Sequence, residues 1–295
     1  MGLDFMRHNA LYEISHKDGF ENIVRMVDRS YLGRNPITGP LIRQFPPLKS
    51  LRMIANFDED IELNGLGYAS HEFLKTLQFG LSSEGAILPE LKAQGSPLIV
   101  ISTHQGLIEP IYISALLERE DSYIIAGMEN HRYGGNLTKH LLPVRPSKFA
   151  GEKRSVLYGP QMTTEEIQKM NEESLQTASE RVASGSMLTI FPWGGRGEET
   201  GEWYTGLGRI IYNIPLNQRG KTRILPIYFS GHDRASLKEL IQELLLYGKP
   251  KQERNVLARI GAAPFLDELV ESYDDPHAII NSIRVFFLNQ FSPKI

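Results

Sequence analysis

Apolar residues in the first third of the chain recur at helical spacing, as in Ile23, Val24, Met26 and Val27. The pattern is broken at Asn35-Pro36, Gly39-Pro40 and Pro46-Pro47. Residues 1–96 therefore read as a helical N-terminal region. From Pro97 the texture changes: short runs rich in Ile and Val, at 98–101, 123–126, 187–191 and 224–229, alternate with helix-like stretches. Strands alternating with helices predict an α/β domain over residues 97–295, with a mostly parallel central sheet flanked by helices. The best-marked helix is 164–183, opened by the capping-box pattern Thr163-Thr164-Glu165-Glu166 and closed by Gly185. Another is predicted over 108–120, with Pro110 in its first turn, and amphipathic helices over 235–247 and 277–291.

Composition narrows the function classes. At 295 residues and 41% hydrophobic, the chain can bury a substantial core. A net charge of -3 gives no global reason to bind nucleic acid, so no nucleic-acid partner is expected. With no cysteine there is no disulfide framework, thiol nucleophile or thiolate-held metal, which suits a cytoplasmic protein. The opening MGLDFMRHNALYEIS lacks the apolar core of a secretory signal. No run approaches the roughly 18 apolar residues of a spanning helix, so a lipid substrate would be met peripherally, on the cytoplasmic face of a membrane.

Chemistry concentrates after the first apolar run. Residues 98–109 read Leu-Ile-Val-Ile-Ser-Thr-His-Gln-Gly-Leu-Ile-Glu, placing His104 just past a strand and Glu109 five residues later. On one regular helix that spacing points the side chains apart, so the pair can meet only across a turn, which Gly106 permits. A carboxylate that accepts from one imidazole nitrogen leaves the other free to take a proton, the arrangement of a general base. Taken alone, a histidine at a strand end is more often simply hydrogen-bonded. About ninety residues on, the run 187–191 leads into Pro192-Trp193-Gly194-Gly195-Arg196-Gly197. Its glycines free backbone N–H groups to face a ligand, and its arginine offers a fork for phosphate or carboxylate; the alternative is an ordinary turn with a solvated arginine.

Together these segments resemble the glycerol-phosphate and lysophosphatidate acyltransferase family, whose blocks are His-x-x-x-x-Asp, an arginine after a later strand, Phe-Pro-Glu-Gly-Thr-Arg, and an apolar-Pro-apolar strand. His104 and Glu109 match the first block and Leu141-Leu142-Pro143-Val144-Arg145 the second. Phe191-Pro192-Trp193-Gly194-Gly195-Arg196 matches the third and Leu225-Pro226-Ile227 the fourth, while Tyr204-Thr205-Gly206-Leu207-Gly208-Arg209 resembles the stretch that follows the third. The resemblance spans roughly residues 97–232. It implies an enzyme of phospholipid biosynthesis that moves a fatty acyl group from acyl coenzyme A or acyl carrier protein to a hydroxyl of a glycerolipid, lysolipid or other lipid-like acceptor, without a covalent acyl-enzyme. It further implies His104 as base, Glu109 as its orienting carboxylate, and Arg145, Gly194, Gly195 and Arg196 as substrate-binding. The donor is a substrate, so no cofactor is implied, and the spacing of the eight histidines suggests no metal.

Two departures qualify the match. Glu109 keeps the carboxylate with one more methylene, whereas Trp193 replaces the third block's glutamate and removes a charge suited to glycerol phosphate. An indole there could stack on a sugar, an aromatic ring or an acyl chain. Residues 131–154 carry Arg132, Lys139, Arg145, Lys148, Lys153 and Arg154 against Glu152 alone. That patch suits coenzyme A phosphates, an acidic carrier protein or anionic lipid, or is a solvated basic loop. Leu41, Ile42, Arg43, Phe45, Leu48, Leu51, Arg52, Met53 and Ile54 could meet a bilayer or roof an acyl tunnel, or simply pack on the α/β domain. Two rivals stand beside the transferase: a catalytically silent lipid-binding protein of the same fold, and a thioesterase that uses water as acceptor.

Overall fold

The computed structural model describes residues 44–104, 108–128, 130, 135–147, 150, 162–193, 203–270 and 275–291. The N-terminal positions 23–27 and 41–43 lie outside them. Two helices come first, α1 (Pro46–Asn64) and α2 (Leu66–Thr76), followed by strand β1 (Phe79–Glu84) and the short α3 (Pro89–Lys92). Next are β2 (Leu98–Ser102), α4 (Glu109–Leu117), β3 (Ser122–Gly127), the single turn α5 (Gly135–Thr138) and β4 (Leu141–Val144). Helix α6 (Thr164–Ala183) leads to β5 (Met187–Ile190), then α7 (Gly206–Asn213), α8 (Leu216–Arg219) and β6 (Arg223–Ser230). The described chain ends with α9 (Arg234–Tyr247), β7 (Arg254–Ile260), α10 (Leu266–Leu269) and α11 (Pro276–Phe291).

The strands form one sheet in the order β1-β7-β6-β2-β5-β3-β4, parallel throughout except between β6 and β7. Such a sheet needs cover on both faces, and β2 accordingly reads LIVIS with all five residues buried. Ile99 and Ile101 join Leu188 and Ile190 in a core completed by α6, α7 and α11. Leu98 and Val100 join Leu225, Ile227 and Phe229 in a second core, against α2, α4 and α9. The result is an α/β/α sandwich with a mostly parallel sheet at its centre. The sheet takes its edge strand β1 from ahead of residue 97, where the change in sequence texture falls.

Local signals account for the elements around the site. At the start of α6, Glu166 N donates to Thr163 Oγ1 at 3.2 Å and Thr163 N donates to Glu166 Oε2 at 2.8 Å, a complete capping box. At its end Gly185 takes φ +101°, and a Cβ there would fall 2.5 Å from the Gly95 carbonyl oxygen, so only glycine fits this turn into β5. Arg119, fully buried, ties the amino ends of β2 and β5 together. Its guanidinium donates to both carboxylate oxygens of Asp121 (2.9 and 2.6 Å) and to the carbonyls of Ser96 and Gly185 (2.7 and 2.8 Å). The buried carboxylate of Asp58 in α1 accepts from the backbone N–H groups of Asn136 and Leu137, docking the N-terminal helices against α5. Of the apolar N-terminal residues, Leu48 is buried and Met53 packs toward the second core, while Phe45 is exposed. Among the described residues no helix is long and apolar enough to cross a membrane.

Candidate active site

The strands β2, β5, β3 and β4 run parallel, and β6 runs parallel to β2, so their carboxyl ends share one edge of the sheet, the usual position for a ligand crevice in an open α/β fold. His104 stands there, just beyond β2. The end of β2 is fixed by Thr103, whose buried hydroxyl accepts from Phe229 N at 2.9 Å and so ties β2 to β6. Glu109 is the first residue of α4, with Pro110 following it in the first turn, so His104 and Glu109 do not share a helix. A carboxylate at that end also favours the helix dipole.

His104 Nδ1 lies 3.3 Å from Glu109 Oε2, close but off the line of a straight hydrogen bond. Its imidazole stacks on Phe191, with ring centres 4.6 Å apart, and is 19% exposed, whereas Glu109 is wholly buried. The imidazole thus reaches the surface at this edge while the carboxylate beside it is buried.

On the other side of the carboxylate is a residue that sequence reasoning passed over as a functional candidate. His232 lies just after β6 and is buried, and its Nε2 is 3.0 Å from Glu109 Oε1. Gly231, at φ +90°, turns the chain out of β6 to place it. The two imidazoles therefore approach opposite oxygens of one carboxylate. Burial pushes the Glu109 carboxyl up, but hydrogen bonds and charge from His104 and His232 more than offset this and hold it well below the usual carboxylate range. An ionised carboxylate only accepts, so the His232 Nε2 that faces it in hydrogen-bond contact carries a hydrogen. Tyr112, one turn along α4, is buried beside the pair; burial and then the Glu109 charge push its phenol far up, and it stays protonated.

Arg145 is also buried, just past β4. Asn171 of α6 clamps its backbone, accepting from Arg145 N at 2.8 Å and donating to Arg145 O at 2.9 Å. Three strand spacings, roughly 14 Å, separate β4 from β2, so Arg145 emerges from the same edge as His104 but three strands along it. Gly194, Gly195 and Arg196 lie outside the described residues, as do Arg132, Lys148, Lys153 and Arg154 of the basic segment.

Trp193 corrects one expectation. Its indole is 2% exposed and packs against Trp203 and Phe287, with ring centres 5.2 and 5.3 Å away. It fills the core under the site and presents no stacking face to a ligand. Among the described residues, no group of three or more His, Asp or Glu side chains is arranged to hold a metal ion.

Residues 87–230 match the family model described as Acyltransferase. No curated protein matches the chain. Among solved structures, the crystal structure of the 1-acyl-sn-glycerophosphate acyltransferase PlsC from Thermotoga maritima is similar over 97% of this chain and 98% of that one, at 12% identity and a TM-score of 0.42.

Proposed function

Starting from a chain whose residues 87–230 belong to the acyltransferase family, we propose that it is an O-acyltransferase in which His104 is the general base and Glu109 its orienting partner. One observation carries this reading: a fully buried carboxylate lies 3.3 Å from an imidazole that is itself partly exposed at the carboxyl edge of the sheet. The acceptor hydroxyl gives its proton to His104 Nε2 as its oxygen attacks the thioester carbonyl. The tetrahedral intermediate then collapses, the C–S bond breaks, and the imidazolium returns the proton to the departing thiolate. The products are an oxygen ester and a free thiol, with no acyl-enzyme. Glu109 stabilises the transient imidazolium, and base help of this kind contributes about 10²- to 10⁴-fold. The off-line approach of His104 to Glu109 suits a resting site, because catalytic hydrogen bonds commonly tighten only when substrate binds.

The donor in this reading is a fatty acyl thioester of coenzyme A or acyl carrier protein, and the acceptor is a hydroxyl of a glycerolipid, lysolipid or related lipid met at a membrane surface. Arg145 and Arg196 hold the acceptor's anionic group, and the backbone of Gly194 and Gly195 receives the oxyanion. Three strands along the edge from the base, Arg145 suits a group remote from the reacting hydroxyl. With Trp193 committed to the core, the acceptor is not recognised by a side chain at the family's glutamate position.

The reading is tested by incubating the protein with acyl coenzyme A and acyl carrier protein donors, with and without lysolipid and glycolipid acceptors, and resolving products by mass. An esterified acceptor formed in step with free thiol is expected. Free fatty acid without acceptor would make the protein a thioesterase, and no turnover across the panel would leave a binding protein of the same fold.

A further inference from the structure

We infer that His232 is a positioning residue of this site, acting through Glu109 to hold the carboxylate in the orientation that aligns His104. The inference rests on the reading of His104 as base. His232 Nε2–H donates to Glu109 Oε1 at 3.0 Å, the better-aligned of the two contacts the carboxylate makes with imidazoles. The ring itself is locked: Tyr112 and Phe229 lie against it edge-on, at 5.9 and 6.5 Å between centres. His232 Nδ1 is buried and has no hydrogen-bond partner among the described residues. A side chain serving stability alone would not keep an imidazole with one orphaned nitrogen where an apolar residue would pack, since an unsatisfied buried polar atom is costly.

The geometry explains how a glutamate works at this position. Its longer side chain has one more rotatable bond than aspartate, so the carboxylate has more orientations to lose before it can serve His104. Donation to Oε1 from the β6 side removes that freedom and leaves Oε2 for His104. Among the described residues, the charged and titratable groups facing His232 are Glu109 and Tyr112 of α4, and Asp233 beside it. Asp233 is exposed and occupied in capping α9, where it accepts from Ser236 N at 2.8 Å.

Two properties separate positioning from packing. Removing the donor leaves more negative charge on Glu109 for His104, so the His104 imidazolium is held more firmly and the acidic limb of the kcat/KM profile moves to higher pH. Loss of alignment lowers kcat with little change in KM. A packing role would lower thermal stability and the active fraction while leaving the limb in place.

The test measures pH profiles of acyl transfer for the native protein and for His232→Leu, His232→Gln and His232→Asn. A glutamine amide can place its Nε2–H where the histidine's was, and asparagine is too short. His232→Leu and His232→Asn should each lose about tenfold to a hundredfold in kcat, with the acidic limb raised, while His232→Gln recovers most of the rate and the native limb. If His232→Leu does not fold, the Gln and Asn pair decides. Unchanged kcat and an unmoved limb in Leu or Asn, or equal loss in Gln and Asn, would overturn the inference. His104→Ala run alongside separates the failures: if it retains activity the base assignment itself is wrong, whatever His232 does.

Discussion

Glu109 is where burial and pairing compete most directly. Taking a carboxylate fully out of water favours its neutral form, yet two imidazoles on its two oxygens keep it ionised. A carboxyl held below its ordinary value of 4.5 adds stability that is fully present above that pH and is lost as pH falls below it toward the folded-state value. The gap in urea stability between the native protein and Glu109→Gln should therefore be widest near neutrality and narrow progressively as pH falls below about 5. A gap independent of pH would mean that the carboxyl is not ionised in the folded state. At this scale the sequence was legible where a strand fed a short motif, as at His104 and Glu109. It was not legible where the partner came from 123 residues away: nothing around Gly231-His232 marks the histidine except its place just past a strand. Trp193 shows the converse. Its block position suggested a ligand-facing residue, but which way a side chain points after β5 depends on the aromatic space left by Trp203 and Phe287, which no local pattern encodes.

Elements were readable in proportion to how local their causes are. Helix α6 announced itself because its start and stop are chemical, a capping box and a glycine with positive φ. The buried strands β2, β5 and β6 were equally plain, since a parallel strand covered on both faces is a continuous apolar run. The edge strand β1 is half exposed and reads FGLSSE, and β7 reads RNVLARI, with Arg254, Asn255 and Arg259 among small or apolar residues. Their pairing with each other and with β6 fixes them, and long-range pairing leaves little local trace. The knot at Arg119 likewise joins β2, β5 and the α4–β3 turn through carbonyls far apart in sequence. Arg119→Met should lower unfolding free energy by about 2 kcal/mol or more, because it strands the carbonyls of Ser96 and Gly185 and the Asp121 carboxylate. A urea midpoint unchanged by this substitution would show that water replaces the guanidinium at no cost.

At the scale of the whole molecule, the sheet order gathers the carboxyl ends of the parallel strands along one edge, and His104, Arg145 and His232 all emerge there. The α/β class followed from the alternation of apolar runs and helical stretches, whereas the strand order that brings β6 beside β2 had to be seen. It is this order that makes a three-part site from residues on two loops and a helix start. The N-terminal helices add a second attachment through Asp58, so the α/β core and the first described helices meet at α5. In the proposed mechanism this edge is where a thioester and a lipid hydroxyl meet. The most direct measurement of that claim is the rate of acceptor-dependent thiol release by the native protein and by His104→Ala, with far-ultraviolet circular dichroism to show that both are folded. A loss of about a hundredfold or more in a folded His104→Ala protein is the predicted result, and undiminished release would contradict the account.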